Sequence, residues 1–240
     1  MLFRSSARDG GCSPVVVVSP SPVESLRRGA FPIPSRAMPR YERKDHLHQR
    51  AKKEGLRSRA AYKLEEIQKQ FSLLSKGDRV ADLGCWPGGW LEVASRLVGP
   101  GGRVAGIDLA EVDPPIAAPN VTALVGDLED AETGARLLEA LGGAPADVVL
   151  SDAAPKLTGV RERDRANEER LLEAIEALLP RLLRPGGSFA IKILEGPEAQ
   201  QIDRRLRTAF AKAKTVKLAS TRKGSTERYL VARDYRGGEG

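Results

Sequence analysis

Cysteine and histidine are scarce in this chain of 240 residues. The two cysteines are Cys12 and Cys85 and the two histidines are His46 and His48, so no disulfide framework or zinc-ligand set is available. Long apolar runs are also missing, since Val15–Val18 is far too short to span a membrane or to form the core of a secretory signal. These absences exclude a disulfide-stabilised secreted domain, a Cys/His metal enzyme and a helical membrane protein.

The stretch around which the chain is organised is Val80–Trp90, with the sequence VADLGCWPGGW. Apolar residues predict a buried strand over Arg79–Leu83, and a helical pattern begins at Trp90. Three glycines form the turn between them, Gly84, Gly88 and Gly89. A strand, a glycine turn and a helix start are typical of a nucleotide-type site in an open α/β sheet. The Gly-x-Gly-x-x-Gly pattern of dinucleotide sites is absent, so another ligand is indicated.

The turn resembles the Asp-x-Gly-x-x-Pro-Gly-Gly-Trp loop of FtsJ-like RNA ribose methyltransferases, which holds S-adenosylmethionine (SAM). The resemblance extends over about Tyr41–Arg233 and is strongest to the bacterial members that methylate a uridine ribose in large-subunit ribosomal RNA. It implies that SAM is the cofactor and that the loop binds it through Asp82, Gly84, Gly88, Gly89 and Trp90. The sequence departs from the family at Cys85–Trp86, where small residues are commoner.

Three further acidic residues lie at, or shortly after, the ends of predicted strands. Asp108 ends the strand Arg103–Asp108 and is placed to accept hydrogen bonds from ribose hydroxyls. Asp127 follows the strand Val121–Val125; the resemblance places it beside the adenine, and a turn residue or helix cap is the competing interpretation. Asp152 ends the next predicted strand, and the resemblance implies that it also belongs to the cofactor site.

Four charged residues on separate elements form the candidate catalytic set. Lys63 lies at the edge of the buried face of an amphipathic helix predicted over Leu56–Leu74. Lys192 lies in the strand Ser188–Leu194 and faces away from the apolar alternate residues, where a charge is costly without partners. Asp152 and Glu227, which opens the last strand, complete the set.

The contexts of Lys63, Asp152, Lys192 and Glu227 resemble the Lys-Asp-Lys-Glu set of 2′-O-ribose methyltransferases. The resemblance implies that Lys192 is the general base, which requires its neutral form. Burial and the second positive charge of Lys63 would favour that form, while Asp152 and Glu227 hold the lysines and the hydroxyl in place. No metal is needed for this reaction.

Positive charge is in excess, with a formal net charge of +7. Pro39–Lys63 holds nine basic and three acidic residues, and Arg204–Lys223 holds eight basic residues and no acid. Solvated helix faces are one interpretation. Two basic blocks on either side of a cofactor domain favour an RNA-binding track.

The first 37 residues are rich in proline and serine and predict disorder. Their arginines also suit a mitochondrial presequence. The alternative, an upstream extension of a bacterial reading frame that starts at Met38, is favoured because the resemblance begins just after Met38. The expected organisation is a disordered extension (1–37), a basic RNA-binding arm (38–55), the methyltransferase domain (56–234) and a disordered tail (235–240).

The sequence therefore predicts a doubly wound, mostly parallel seven-stranded α/β sheet of the Rossmann-like methyltransferase class, with the last strand antiparallel. The predicted function is SAM-dependent 2′-O-methylation of ribosomal RNA, or of an assembling large ribosomal subunit, by a cytoplasmic monomer. A transfer-RNA or cap substrate, a small-molecule methyltransferase and a non-catalytic RNA-binding assembly factor are the alternatives. The two basic blocks argue against a small-molecule substrate, and the complete set of four charged residues argues against a non-catalytic factor.

Overall fold

The computed structural model describes residues 46–156, 158–194, 197–222 and 224–237. The predicted extension 1–37 and the first part of the predicted arm lie outside these residues. The elements in chain order are α1 (His46–Lys53), α2 (Ala61–Phe71), β1 (Arg79–Leu83), α3 (Gly89–Val98), β2 (Arg103–Asp108), β3 (Val121–Val125), α4 (Thr133–Ala140), β4 (Ala146–Ser151), α5 (Arg161–Leu182), β5 (Leu183–Ile193), α6 (Pro197–Thr208), β6 (Phe210–Val216) and β7 (Arg228–Tyr235). None of the helices in these ranges is long and apolar enough to cross a membrane.

The strands form one seven-stranded sheet in the order β3-β2-β1-β4-β5-β7-β6. Strands β1 to β5 pair in parallel, and β7 is antiparallel to both β5 and β6. The chain builds outwards from β1 to β3 and then returns to place β4 on the other side of β1. The carboxyl ends of β1 and β4 therefore flank a topological switch point, where open α/β sheets bind their ligands. This confirms the predicted doubly wound fold.

Helices cover both faces of the sheet because the strand residues alternate between two buried clusters. One cluster joins β-strand residues such as Phe189 and Ile191 to α4, α5 and α6. The other joins residues such as Val80 and Ala190 to α2 and α3. Period two places Asp82 on the same face as Val80 and Lys192 on the same face as Ala190. Both charged residues therefore lie on the α2/α3 side of the sheet.

Strands β1, β2 and β3 have the predicted bounds, whereas several later elements differ. The sequence pattern alone predicts a helix over Pro197–Lys212 and a strand over Val216–Ala219, whereas α6 ends at Thr208 and β6 occupies Phe210–Val216. The segment Ala-Lys-Ala-Lys has good helix propensity. Pairing with β7 and the packing of Phe210 on Phe189, with ring centroids 5.9 Å apart, override that propensity.

The residues Arg184-Pro-Gly-Gly187 predict a tight turn, but they lie inside β5 as an irregularity. Ala146 pairs with Leu183 while Val148 pairs with Ser188, so four residues of β5 bulge out opposite one residue of β4. The guanidinium of Arg184 donates to Asp147 at 2.6 Å and holds the bulge against β4.

Helix and strand residues continue beyond both bounds, 56 and 234, of the predicted methyltransferase domain. At the C-terminal end β7 continues to Tyr235, which is buried and packs on Phe210, so the strand includes the first residue of the predicted tail. At the N-terminal end α1 occupies most of the second half of the predicted arm, and its Ala51 is buried. Helix α2 begins at Ala61, later than predicted.

Candidate active site

The four predicted catalytic side chains meet at the carboxyl edge of the sheet, beside the switch point. The ammonium of Lys63 lies 3.2 Å from both carboxylate oxygens of Asp152 and 2.9 Å from Oε1 of Glu227. The ammonium of Lys192 lies 3.2 Å from Oδ1 of Asp152 and also donates to its main-chain carbonyl. Asp152 is thus the centre of the set, because both lysines bind to it.

Both lysines are almost fully buried, with exposed fractions of 5% for Lys63 and 9% for Lys192. Helix α2 packs on the sheet and points Lys63 at the end of β4, while the alternation in β5 points Lys192 at the same place. Burial of two ammonium groups is tolerated only with acidic partners nearby. The contacts with Asp152 and Glu227 supply those partners.

Tyr229 is a member of this site that sequence reasoning missed. Its hydroxyl lies 2.6 Å from Oδ1 of Asp152 and 3.0 Å from Oε1 of Glu227, so it donates to either carboxylate. Its ring lies 5.5 Å from the Lys63 ammonium, within cation–π range. Burial, reinforced by the charges of Asp152 and Glu227, raises the pKa of Tyr229, and the phenol stays protonated as a donor.

Two signals point towards Tyr229, one in the sequence and one in the pairing of the strands. It stands two residues after Glu227, so both side chains face the same side of an extended segment. The register of the sheet then places Tyr229 directly opposite Lys192 on the neighbouring strand. Only the first of these signals is available before the strand pairing is known.

A cavity of about 530 Å³ opens beside the charged set. Its lining includes four of the predicted cofactor residues, Gly84, Asp108, Asp127 and Asp152. A small recess continues from it and is lined by Asp82, Gly89 and Trp90, together with Ser58 from the segment before α2. Gly88 appears in neither lining; it stands at the start of α3 with a φ of 100°, which favours glycine.

Asp108 is held at the mouth of the cavity by two main-chain N–H groups. Its Oδ2 accepts from Trp86 N and its Oδ1 accepts from Ala110 N, both at 3.0 Å. Each carboxylate oxygen keeps a further lone pair for a ligand. The fixed carboxylate therefore suits a pair of hydroxyl donors.

Asp127 also lines the cavity, but its carboxylate has a local partner. Its Oδ1 accepts from the N–H of Glu129 at 3.0 Å, which is the turn interaction that competed with the cofactor role. Trp90 likewise has a structural partner, because its indole N–H donates to the carbonyl of Ala60 at 2.8 Å. These two residues shape the site while also holding its loops.

Asp82 and Ser58 are the unpaired polar groups of the recess. Asp82 is 1% exposed, and within the described part of the chain neither of its carboxylate oxygens has a hydrogen-bond partner. The same holds for the hydroxyl of Ser58, which lies before α2 and does not cap it. Burial raises the pKa of Asp82, and the charges of Asp152 and Asp108 raise it further. Such groups are costly to bury unless a ligand pairs with them.

The glycine turn brings the backbone close to this recess. A Cβ on Gly84 would lie 2.4 Å from Cβ and 2.9 Å from Cα of Ala153, and the φ of Gly84 is +81°. A side chain at this position would therefore push apart β1 and the segment after β4. Glycine lets these two segments approach each other closely beside the cavity.

The basic blocks are only partly available to a polyanion. In the first block, Arg57 donates to Glu92 and to the carbonyl of Pro115, both at 2.9 Å. In the second block, Arg205 pairs with Glu176, Arg207 with Asp203 and Lys212 with Asp234. These cations hold neighbouring elements together, so the net charge of each block overstates its free positive charge.

A sequence model described as "FtsJ-like methyltransferase" matches residues 56–235 of this chain. The chain belongs to the FtsJ-like methyltransferase family. The match covers the whole sheet and all four charged residues of the site, which confirms the predicted family.

The curated relatives of this chain are also named as methyltransferases. It is 44% identical over 197 residues to "Ribosomal RNA large subunit methyltransferase E" of Methanothermobacter thermautotrophicus, covering 82% of this chain and 92% of the relative. The protein of the same name from Pseudomonas aeruginosa strain PAO1 is 44% identical over 187 residues, covering 78% and 89%.

Solved structures of other proteins share the fold of this chain. A Plasmodium falciparum protein described as a ribosomal RNA methyltransferase superposes with a TM-score of 0.65 at 29% identity, covering 76% of this chain and 100% of its own. Aeropyrum pernix fibrillarin, solved with bound SAM, superposes with a TM-score of 0.52 at 18% identity, covering 72% and 75%. The second likeness shows the fold alone.

Proposed function

We propose that this protein transfers a methyl group from SAM to a ribose 2′-hydroxyl of ribosomal RNA. The observation that carries the proposal is the linked set of Lys63, Asp152, Lys192 and Glu227 beside the 530 Å³ cavity. The names of the curated relatives support ribosomal RNA as the substrate. A uridine of the large subunit is the expected target.

The residues around the cavity fit SAM. The volume lies within the usual range for small-molecule sites. The Asp108 carboxylate suits the two ribose hydroxyls, and the recess offers the unpaired Asp82 and Ser58 to the charged methionine end. Gly84 lines the same cavity and adds no side chain to it. Among the described residues no cluster of three metal-binding side chains is present.

SAM, when bound, supplies an activated methyl group on a sulfonium centre. The chain has to bring the 2′-hydroxyl in line with that group and accept its proton. Lys192 is the proposed proton acceptor, and Lys63 is the second cation of the set, bound to the same carboxylate of Asp152. Asp152, Glu227 and the Tyr229 hydroxyl fix the positions of both lysines.

The direct test is transfer of labelled methyl groups from SAM to protein-free ribosomal RNA and to isolated large subunits, followed by mapping of ribose methylation. Methylation of one ribose in either substrate supports the proposal. Saturable SAM binding without transfer to any RNA would favour a non-catalytic assembly factor instead.

We also propose that the protein acts as a monomer in the cytoplasm. All four charged residues of the set come from one chain, so the site needs no second copy. The relatives named above come from an archaeon and a bacterium, which supports the cytoplasmic over the mitochondrial alternative.

Replacing Asp108 with alanine is expected to weaken SAM binding by about tenfold, because two ribose hydroxyls lose a charged acceptor. Calorimetric titration with SAM measures the change. Asp113→Ala, on the neighbouring loop and outside the cavity lining, is the matched control. Equal SAM affinity in Asp108→Ala and wild type would remove Asp108 from the cofactor site.

Neutralising Lys52 and Lys53 of α1 to glutamine is expected to flatten the salt dependence of RNA binding. Loss of two phosphate contacts should lower the slope of log K against log salt by about 1.4 for a single-stranded substrate. Lys212→Gln is the control, since Lys212 pairs with Asp234 far along β6 from the catalytic set. An unchanged slope in the α1 variant would mean that α1 does not contact RNA.

A further inference from the structure

Trp86 lines the cofactor cavity, but the reaction proposed above gives its side chain no role. Trp86 is 57% exposed, although tryptophan carries a large apolar surface that proteins usually cover. Trp90, four residues later, is 3% exposed. The exposed ring therefore leaves apolar area at the cavity that a ligand can cover.

Trp86 is hydrogen-bonded to Asp108, the proposed acceptor for the ribose hydroxyls. Its main-chain N–H donates to Oδ2 of Asp108 at 3.0 Å, so a ribose bound by Asp108 has to lie close to Trp86. Leu109, the residue after Asp108, is also exposed and lines the same cavity. Two exposed apolar side chains thus stand next to the carboxylate that suits a nucleoside.

The loop that carries Trp86 is held on both sides. The N–H groups of Gly84 and Cys85 donate to the carbonyl of Ile107 at 2.8 and 3.1 Å, and Gly88 N donates to Cys85 O at 2.7 Å. The backbone at Trp86 is therefore fixed relative to β2. A ring on a fixed backbone covers a ligand with little loss of conformational entropy.

Trp86 contributes to the lining of both the large cavity and the small recess. Asp108 lies only in the lining of the cavity, and Asp82 only in that of the recess. The indole therefore stands at the junction between the parts that suit the nucleoside and the methionine end of SAM.

On the premise that SAM occupies this cavity, we propose that Trp86 is a cofactor-binding residue whose indole covers the nucleoside half of the bound molecule. The ring contacts the ribose and base by stacking and apolar contact. It does not depend on the positive charge of the sulfonium.

The test compares SAM with S-adenosylhomocysteine, which has the same nucleoside and no sulfonium charge. Trp86→Ala is expected to raise the dissociation constants of both ligands by about tenfold, whereas Trp86→Phe keeps an aromatic face and raises them by no more than about threefold. Val160→Ala removes an exposed apolar side chain outside the cavity lining and should change neither constant. Thermal unfolding of each variant checks that the fold is retained.

Tryptophan fluorescence provides a second measurement, because Trp86 and Trp90 are the only tryptophans in the chain. Addition of S-adenosylhomocysteine should change the emission of the wild type, and most of the change should be lost in Trp86→Phe although the ligand still binds, because Trp90 is 3% exposed and its indole N–H is bonded to Ala60.

Three results would overturn this role. Unchanged dissociation constants in Trp86→Ala would show that the ring does not contact the cofactor. A loss confined to SAM would mean contact with the sulfonium and not with the nucleoside. Weaker RNA binding with unchanged cofactor binding would assign the ring to RNA. Failure of the wild type to bind either ligand would instead refute the proposed function.

Discussion

Lys192→Ala and Lys192→Arg are both expected to lower the rate of methyl transfer by at least about a hundredfold, while SAM and RNA still bind. General-base catalysis typically contributes about 10²- to 10⁴-fold. Alanine removes the base, and arginine keeps the positive charge but stays protonated under any workable condition. The measurement is single-turnover transfer of labelled methyl to RNA, with SAM and RNA affinities determined separately.

Two matched variants make the Lys192 result specific. Lys212→Arg changes a lysine that pairs with Asp234 away from the catalytic set and should retain the wild-type rate. Lys192→Met keeps most of the length of the side chain without its charge and should be as slow as Lys192→Ala. A near-normal rate in Lys192→Arg would make Lys192 a positioning residue, and the proton would then have to go to Asp152, Lys63 or solvent.

The first half of the fold was predictable because its signals are local. Strands β1 and β3 are short apolar runs followed by a glycine, β2 ends in an aspartate, and the bounds of all three agree with the prediction. The alternation in Phe189–Ile193 correctly placed Lys192 on the face away from the larger cluster. Period two alone settles which way a strand residue points, so the orientation of Lys192 needed no tertiary information.

The later elements depend on contacts that the local sequence does not contain. The Ala-Lys-Ala-Lys segment of β6 is a strand only because β7 pairs with it. Tyr229 contacts Asp152 because the register between β5 and β7 brings it opposite Lys192. Serine is a common helix cap, yet α2 begins at Ala61, beyond Ser58, which instead lines the recess.

Replacing Asp152 with asparagine is expected to lower both the rate of methyl transfer and the stability of the fold. Among the described residues, Asp152 is the one carboxylate that contacts both buried lysines, and asparagine of the same shape removes its negative charge. Breaking a buried ion pair typically costs about 3–5 kcal/mol, because the remaining charge is left uncompensated. Urea unfolding measures the stability, and the single-turnover assay measures the rate.

Glu227→Gln separates the effect of the charged set on stability from its effect on the rate of methyl transfer. Glu227 contacts Lys63 and the Tyr229 hydroxyl, and the acidic partner of Lys192 is Asp152, so the glutamine variant should lose less stability than Asp152→Asn. The double variant Asp152→Asn with Lys63→Met should recover part of the stability, since it removes one of the two unbalanced cations. If Asp152→Asn unfolded at the wild-type urea midpoint, its carboxylate would not be balancing the lysines. Its effect on rate would then have to come from the contact of residue 152 with the cofactor cavity.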